Sequence, residues 1–585
     1  IQTGGTLDVT AFANGYAIPA GQSLAGSGGK IAGNVVVSGG LNPGNSPGSM
    51  TVGGLIVQAG SDYNAQFEKI GGTWVHDQIF VDGSLGGSGI FNLNGGTLQN
   101  GVVTSGTLSL GGVVASALSR TEGTMSFPII SGGTIQGTFQ SVSADFFSGW
   151  VDSAKTATGG SLITELQTHA PALFGGTLRP MGSTAVLSPS LKYSSSEVQL
   201  QVERKTFKSF GLGINGQDLG NYLDSFVSAP GDLLALQVQL EAYQLASQVS
   251  AALSGAGVSP YADLLTISRR RMLDLGANIG SRLDLLGLSG ARNGGVETNV
   301  GTGQEGWSVW NSNSVSELKR TAFASNGFGG YTSNAQTSIM GIERPLGSAR
   351  IGLLGATGST TANFSTPSTT VSSDAWHLGA YASLPVAPFF ADVAFIYGNV
   401  DNDARRTIEF PGYTARTRAK FDSSEHLLRL GGGYQIMPAQ SAWEITPTEH
   451  LLYVGGMQAA LQETNGGVLG ARVAKIKTGG LLNEVGLTVG RRWVVRHVGV
   501  AVRLQSNWLH DFNGNGSIQA AFLGAPTGSG WFTARNATGD RDALKLNGSV
   551  ELSLTQRLSL RFSGEYEMRR SSNKGTLTIS IGMEF

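Results

Sequence analysis

Cysteine is absent from all 585 residues. In a secreted chain this leaves stability to repetition and burial rather than to disulfides. It also suits a chain that crosses a narrow pore unfolded, where a premature disulfide would be an obstacle. Charge is scarce as well: Asp, Glu, Lys and Arg make up 14% of the chain, against roughly 25% in an average soluble domain. The formal net charge of -1 leaves no global basic patch for nucleic acid. No run of about 18 or more apolar residues occurs, which excludes a transmembrane helix. A place in a membrane would have to be taken as a barrel. The chain opens at Ile1 without Met, a basic segment or an apolar segment, so the signal peptide is expected to be missing and the amino end processed. With 17 prolines beside 87 glycines, collagen is excluded, and the glycine fits short strands between many tight turns.

From Ile1 to Arg204, short alternating strands are punctuated by Gly-Gly or Asn-Gly turns, as in Gly33 to Gly40, Met50 to Val57, Gly95 to Leu98 and Gly106 to Gly112. Their loose spacing predicts a parallel right-handed β-helix, because each coil touches only its neighbours and tolerates variable side loops. Chemical motifs in this stretch do not reach a site. Gly44-Asn-Ser-Pro-Gly48 matches G-x-S-x-G but lacks the strand-to-helix turn a nucleophile elbow needs. Gly86-Gly-Ser-Gly-Ile-Phe91 begins like a calcium-binding nonapeptide, yet Phe91 stands where the ligating Asp belongs. His76 and His169 have no Cys or H-E-x-x-H partner. No catalytic, cofactor or metal residues are expected, and the chain is read as a non-enzyme.

Beyond Thr206 the apolar spacing becomes helical. Asp232 to Leu253 carries an N-cap candidate and an i, i+3, i+4 stripe, and a second helix is predicted from about Tyr261 to Leu288. The second carries Arg269, Arg270, Arg271, Asn278 and Arg282. A helix of about 24 residues is roughly 36 Å long and spans a barrel whose apolar band is about 25 Å tall.

From Trp307 onward about twelve amphipathic strands are predicted, an even number. The candidates are Trp307 to Trp310, Thr337 to Arg344, Ala349 to Ala356, Trp376 to Ala382, Phe390 to Tyr397 and Leu427 to Tyr434. They continue with segments near Leu451 to Ala459, Asn483 to Val489, Val498 to Trp508, Ala543 to Leu554 and Leu558 to Glu567, and with the terminal strand. In that last strand Leu577, Ile579, Ile581, Met583 and Phe585 alternate with polar residues or glycine, predicting a closing strand with one lipid face. Glu484, Arg503, Glu551, Arg561, Glu565 and Glu567 are expected to point into the lumen. Trp307, Trp310, Trp376, Tyr397, Tyr434 and Trp508 are candidates for interface girdles, and singly each fits simple packing equally well. The links Asp401 to Arg418 and Asp511 to Arg541 are expected to be long loops.

Several segments carry a family resemblance. Leu41-Asn-Pro-Gly-Asn-Ser-Pro-Gly48 with Met50-Thr-Val-Gly-Gly-Leu, and Leu187 to Tyr193 with Val198 to Val202, resemble the passenger domains of autotransporters. Gly341-Ile-Glu-Arg344, Leu378 to Ser383, Gly432-Gly-Tyr434, Gly539 to Asp542 and the terminal Phe585 resemble stations of their translocator. The resemblance is to the classical monomeric autotransporters of type Va secretion. It implies a 12-stranded antiparallel transmembrane β-barrel with an α-helix in its pore. The corresponding units are a β-helical passenger segment at 1–204, a helical linker and pore helix at 205–300, and a translocator at 301–585. It also implies an autochaperone role for roughly Ser61 to Val202, a plug at Leu264 to Leu286, and a sorting signal in the terminal strand. Implied partners are outer-membrane lipid, barrel-assembly machinery, periplasmic chaperones and a host or surface ligand, with no nucleic acid. Some relatives cleave themselves at an asparagine pair in the pore helix. Here a lone Asn278 precedes Ile279, so the passenger is expected to stay attached.

The leading function is export of the chain's own passenger to the surface of a Gram-negative cell, with adhesion or host interaction as its role. The alternatives are an outer-membrane channel, or a carrier of an enzymatic passenger lying upstream of residue 1.

Overall fold

The computed structural model describes residues 1–43, 48–70, 73–95, 97–99, 102–104, 107–112, 123–139, 141–145, 184–226, 232–290, 306–322, 327–436, 442–513, 516–525, 528–536, 541–555 and 557–584. The serine of the G-x-S-x-G motif, His169 and Phe585 lie outside them.

In the first third, successive strands alternate between two parallel sheets. Lys30–Val37, Ser49–Gln58 and Gln78–Val81 stack in one, and Ser23–Gly26, Gly40–Pro43 and Asp62–Ile70 stack in the other. Period-two alternation sends Ile31, Val35 and Val37 into a shared core with Leu55, Tyr63 and Ile79, all fully buried. Stacked turns are tied by polar side chains, such as Asn64 Nδ2 donating to Asn42 Oδ1 at 2.6 Å. The Tyr63 hydroxyl donates to Ile129 O at 2.9 Å, and burial pushes it well above the usual phenol range. Phe91, in the position a calcium repeat gives to Asp, belongs to the same core. His76 rests edge-on against Phe127 and lies beside the Asp77 carbonyl. The first sheet ends in antiparallel strands Gly123–Ser131, Glu197–Arg204 and Leu187–Tyr193.

Four α-helices follow among the described residues: α1 Gly213–Asp224, α2 Asp232–Ala242, α3 Ala246–Ala256 and α4 Ser259–Gly290. The helix expected over Asp232 to Leu253 is therefore two helices. Leu245 turns extended to cap α3, its backbone N–H donating to Gln248 Oε1 at 3.1 Å, while Tyr243 is fully buried and donates to the Pro411 carbonyl. Helix α1 holds three glycines, whose low propensity hides it from a sequence reading. Burial of Leu219, Tyr222 and Leu223 holds it together instead.

A buried charge cluster joins the strands to the helices. Arg204, at the end of its strand, reaches Glu241 and Asp224, each at 3.2 Å, and lies over the Phe207 ring at 4.7 Å. Burial raises the Asp224 carboxyl, which the Lys208 and Phe207 amides and Arg204 offset only in part. Arg204→Met would leave two buried carboxylates without their cation, at a cost of about 3–5 kcal/mol. Limited trypsin digestion is expected to show faster cleavage at the neighbouring exposed Lys205 and Lys208; an unchanged rate would contradict this role of the cluster.

The second half is one closed barrel of twelve antiparallel strands. These are β1 Ser308–Arg320, β2 Tyr331–Leu346, β3 Ala349–Ser365, β4 Ser368–Val386, β5 Phe389–Phe410, β6 Tyr413–Tyr434, β7 Trp443–Gln458, β8 Ile476–Val495, β9 Val498–Asp511, β10 Asp542–Ser553, β11 Leu558–Met568 and β12 Ser572–Glu584. All twelve candidate segments fall within these strands or overlap them. Closure is made by β12 pairing with β1, Ser308 opposite Glu584 and Arg320 opposite Ser572, which leaves no edge.

The facing is the reverse of a soluble barrel. Along β4, Trp376, Leu378, Ala380, Leu384 and Val386 point outward, whereas Ser373, His377, Tyr381 and Ser383 are buried inside. From Trp376 to Val386 the belt runs about 34 Å along the strand at roughly 3.4 Å per residue. At a tilt of about 40° that is near 26 Å of axial height, the thickness of the apolar band of a membrane barrel.

Two expectations are corrected here. The segment Asp401 to Arg418 is a continuation of the β5–β6 hairpin with a turn at Pro411 and Gly412, since its alternate residues Ala404, Ile408 and Ala415 bury against the helices. Asp511 to Arg541 contains two strands, Ser517–Phe522 and Phe532–Arg535, which join Leu461–Gln462 and Ala471–Val473 in a separate four-stranded sheet. The links that carry this sheet stand at one end of the barrel. The other end has tight turns such as Gly347-Ser348 and Arg496-His497.

Candidate functional site

Helix α4 lies inside the barrel. Its 32 residues span about 48 Å at 1.5 Å per residue, and its side chains meet strands on every side of the ring. At the long-link end Asp263 pairs with Arg320 of β1, Oδ2 accepting from NH2 at 2.9 Å. About two turns deeper come the three consecutive arginines. Arg269 pairs with Asp511 of β9 at 2.7 Å, Arg270 with Glu567 of β11, and Arg271 with Glu425 of β6 through two hydrogen bonds of 2.8 Å. Consecutive helical residues point about 100° apart, so one triplet reaches three separated strands. Glu425 also accepts from Ser268 at 2.5 Å and faces His377 Nε2 at 2.7 Å.

Below these, Asp274 pairs with Lys574 of β12. Asn278 donates to its own helix at the Asp274 carbonyl, 3.0 Å, and accepts from Ser312 at 3.3 Å. Arg282 closes the series on Glu343 of β2. Glu343 is fully buried and accepts from Tyr381 OH at 2.7 Å, which accepts in turn from Trp310 Nε1 at 2.6 Å. Two glycines make room for those rings: a Cβ on Gly341 would come 2.3 Å from Trp310, and one on Gly352 would come 2.2 Å from Tyr381. Trp310 is thus an inward residue and not a girdle one. Trp307, Trp376, Tyr397, Tyr434 and Trp508 are on the exposed face.

The strand residues expected in the lumen are inside or on the inward side. Arg503 bridges Glu444 at 2.8 Å and Glu551 at 2.9 Å. Glu484 accepts from Lys545 at 3.3 Å and from Asn507. Arg561 donates to Ser549 at 3.2 Å and to the Ser281 carbonyl of α4 at 3.4 Å. Glu565 shares the face of Glu567, opposite Asn547 and Thr576. In β12, Leu577, Ile579, Ile581 and Met583 are exposed on the outer surface.

The sequence reading missed Glu425, Glu343 and Asp511 as partners of the arginines. A signal existed for Glu343, which sits in the inward phase of its strand just after the outward, apolar Met340 and Ile342.

The helix leans on β4 to β7. Opposite, towards the long-link end, lies a polar cavity of about 410 Å³ lined by Arg269, Lys477, Asp511, Asn513 and Arg569. Asp284, Asp392 and His450 approach one another closely enough to hold a cation. Arg429 already pairs with Asp392 and lies 3.6 Å from Asp284, so the charge there is compensated by protein. The arrangement has the parts of a plugged pore: a charge-lined lumen and a rod that cancels its charges.

Residues 316–565 match the family model described as autotransporter beta-domain. Among solved structures, the translocator domain of autotransporter NalP from Neisseria meningitidis is similar at 15% identity, covering 55% of this chain and 99% of that one with a TM-score of 0.42. The transport unit of autotransporter AIDA-I from Escherichia coli is similar at 16% identity, covering 52% and 98% with a TM-score of 0.37. The beta domain of the Bordetella autotransporter BrkA is similar at 17% identity, covering 48% and 100% with a TM-score of 0.35. No curated protein sequence matches the chain. With its outward apolar belt, its family match over residues 316–565 and a helix paired along the lumen, the barrel is an outer-membrane autotransporter β-domain.

Proposed function

We propose that this autotransporter carries residues 1–204 to the cell surface as a β-helical passenger, with 205–300 as linker and pore helix and 301–585 as translocator. The observation that carries the reading is the direction of α4. It enters at the long-link end beside Arg320 and ends beside Glu343 at the tight-turn end. Bacterial barrels keep short turns inside and longer loops outside, so the solenoid that precedes α4 belongs outside. Extracellular folding then drives export without ATP, because a refolded coil cannot slip back. The segment from roughly Ser61 to Val202 acts as autochaperone, and its antiparallel end strands support that role; part of it lies outside the described residues. Barrel-assembly machinery and periplasmic chaperones deliver the chain. The exported surface is non-enzymatic and adhesive, contacting a host or surface ligand.

Proteinase added to intact cells is expected to remove the passenger while the barrel survives. A passenger shielded until the membrane is broken would overturn the orientation. Asn278 is engaged by Asp274 and Ser312, with no second asparagine beside it, which supports an uncut chain. The mass of the exported protein is expected to equal passenger plus barrel; a free barrel beginning within α4 would refute that.

A further inference from the structure

Outgrowths of the long-link rim converge on the short helices α1 to α3. The four-stranded sheet receives α1. Asn215 Nδ2 donates to Arg535 O and its Oδ1 accepts from Arg535 N, both at 2.8 Å. Asp218 pairs with the same arginine, and Tyr222 packs on Phe532 and Phe522 with ring centroids 4.9 and 6.1 Å away. The tip of the β5–β6 hairpin receives α2, where Gln239 Nε2 donates to Pro411 O at 2.7 Å and the Tyr243 hydroxyl donates to the same oxygen.

Glu463, on the link between β7 and β8, knots these parts together. It accepts from Arg406 Nε at 2.8 Å, Tyr261 OH at 2.7 Å and Ala471 N at 2.7 Å. Burial would raise its carboxyl, but Arg406 and these donors hold it below the usual carboxylate range. Arg406 also donates to the Ala256 and Gly257 carbonyls, both at 3.2 Å, where α3 hands over to α4. A single hydrophobic core runs from the solenoid through α1 to α3 into the sheet and the hairpin.

These partners are up to 320 residues apart, and they meet only when 213–256 and the links are on one side of the membrane. While chain is still passing, the surfaces of the sheet and hairpin lack their cover. We propose that α1 to α3 are a latch: on emerging they dock on the link sheet and hairpin, close the outer mouth and hold α4 at its depth. The direction of emergence rests on the export reading above; the docking itself does not.

The chain has no cysteine, so Asn215→Cys with Arg535→Cys adds one reporter pair to the full chain. A short thiol cross-linker on intact cells is expected to join the pair in most exported molecules. Asp218→Ala with Tyr222→Ala is expected to raise trypsin cleavage at Lys205 and Lys208 by about tenfold, as for loss of roughly 1.4 kcal/mol of local closure. Openings in planar bilayers should become more frequent, with the heat-modifiable mobility of the barrel retained. The latch is overturned by exported chains that do not cross-link, or by a double variant with an intact barrel and wild-type cleavage and conductance. A passenger inaccessible on intact cells would overturn the export reading instead. The cross-link in detergent-purified chain would then decide the docking separately, for it if formed and against it if not.

Discussion

Glu425→Ala is expected to unseat the pore helix and raise the bilayer conductance of the barrel, and making both Glu425→Met and Arg271→Met is expected to restore most of the closure. The Arg271 and Glu425 side chains are 7% and 1% exposed. Removing the carboxylate alone strands a buried guanidinium and takes the acceptor from Ser268 and the partner from His377. Breaking such a pair from one side costs about 3–5 kcal/mol, whereas replacing both ions by apolar groups is often nearly neutral. The single change therefore shifts the seated-to-unseated ratio by roughly two to three and a half powers of ten. As a control, the exposed pair of Lys319 with Glu317 should be worth about 0–1 kcal/mol and leave conductance alone. A Glu425→Ala barrel that conducts like the wild type would mean the helix is held by something other than its ion pairs.

Ile579→Arg is expected to abolish most folded barrel, while Thr578→Arg, one residue away, is tolerated. Ile579 is on the outer face of the seam strand, opposite Asn313 of β1 and Phe562 of β11. An arginine there meets hydrocarbon at about 2–4 kcal/mol, in the strand whose pairing removes the last free edges. Thr578 points to the wet interior, where a cation adds to a lumen already built of charges. The fraction of heat-modifiable barrel in membranes checks both; equal tolerance at the two positions would show that the seam does not face lipid as drawn.

The barrel was legible because its rule is local. Leu558, Leu560, Phe562 and Tyr566 against Ser559, Arg561, Glu565 and Glu567 declare two faces whatever the rest of the chain does. The pore helix was legible for a similar reason, since a run of good helix formers carrying three arginines has few comfortable places in a barrel protein. Helix α1 was not legible, because its glycines argue against helix until Tyr222 finds Phe532. The hairpin at 401–418 is not legible as strand, because polar outward residues such as Asp401, Asp403 and Arg405 mark a strand beyond the apolar belt as readily as a loop. Trp310 stays open between girdle and packing in the sequence, because a tryptophan at a strand end has no assigned face until the glycine opposite it is known.

By itself, then, the sequence determined that twelve strands cross the belt, which face of each is greasy there and that a charged rod accompanies them, because side-chain periodicity is written within a few residues. Only the tertiary structure decided the partners: Arg271 meets Glu425 across 154 positions and Asn215 meets Arg535 across 320. Those pairings depend on strand register, on the rotation and depth of the helix, and on where the long links fold back, and each of these is set by the closed ring as a whole.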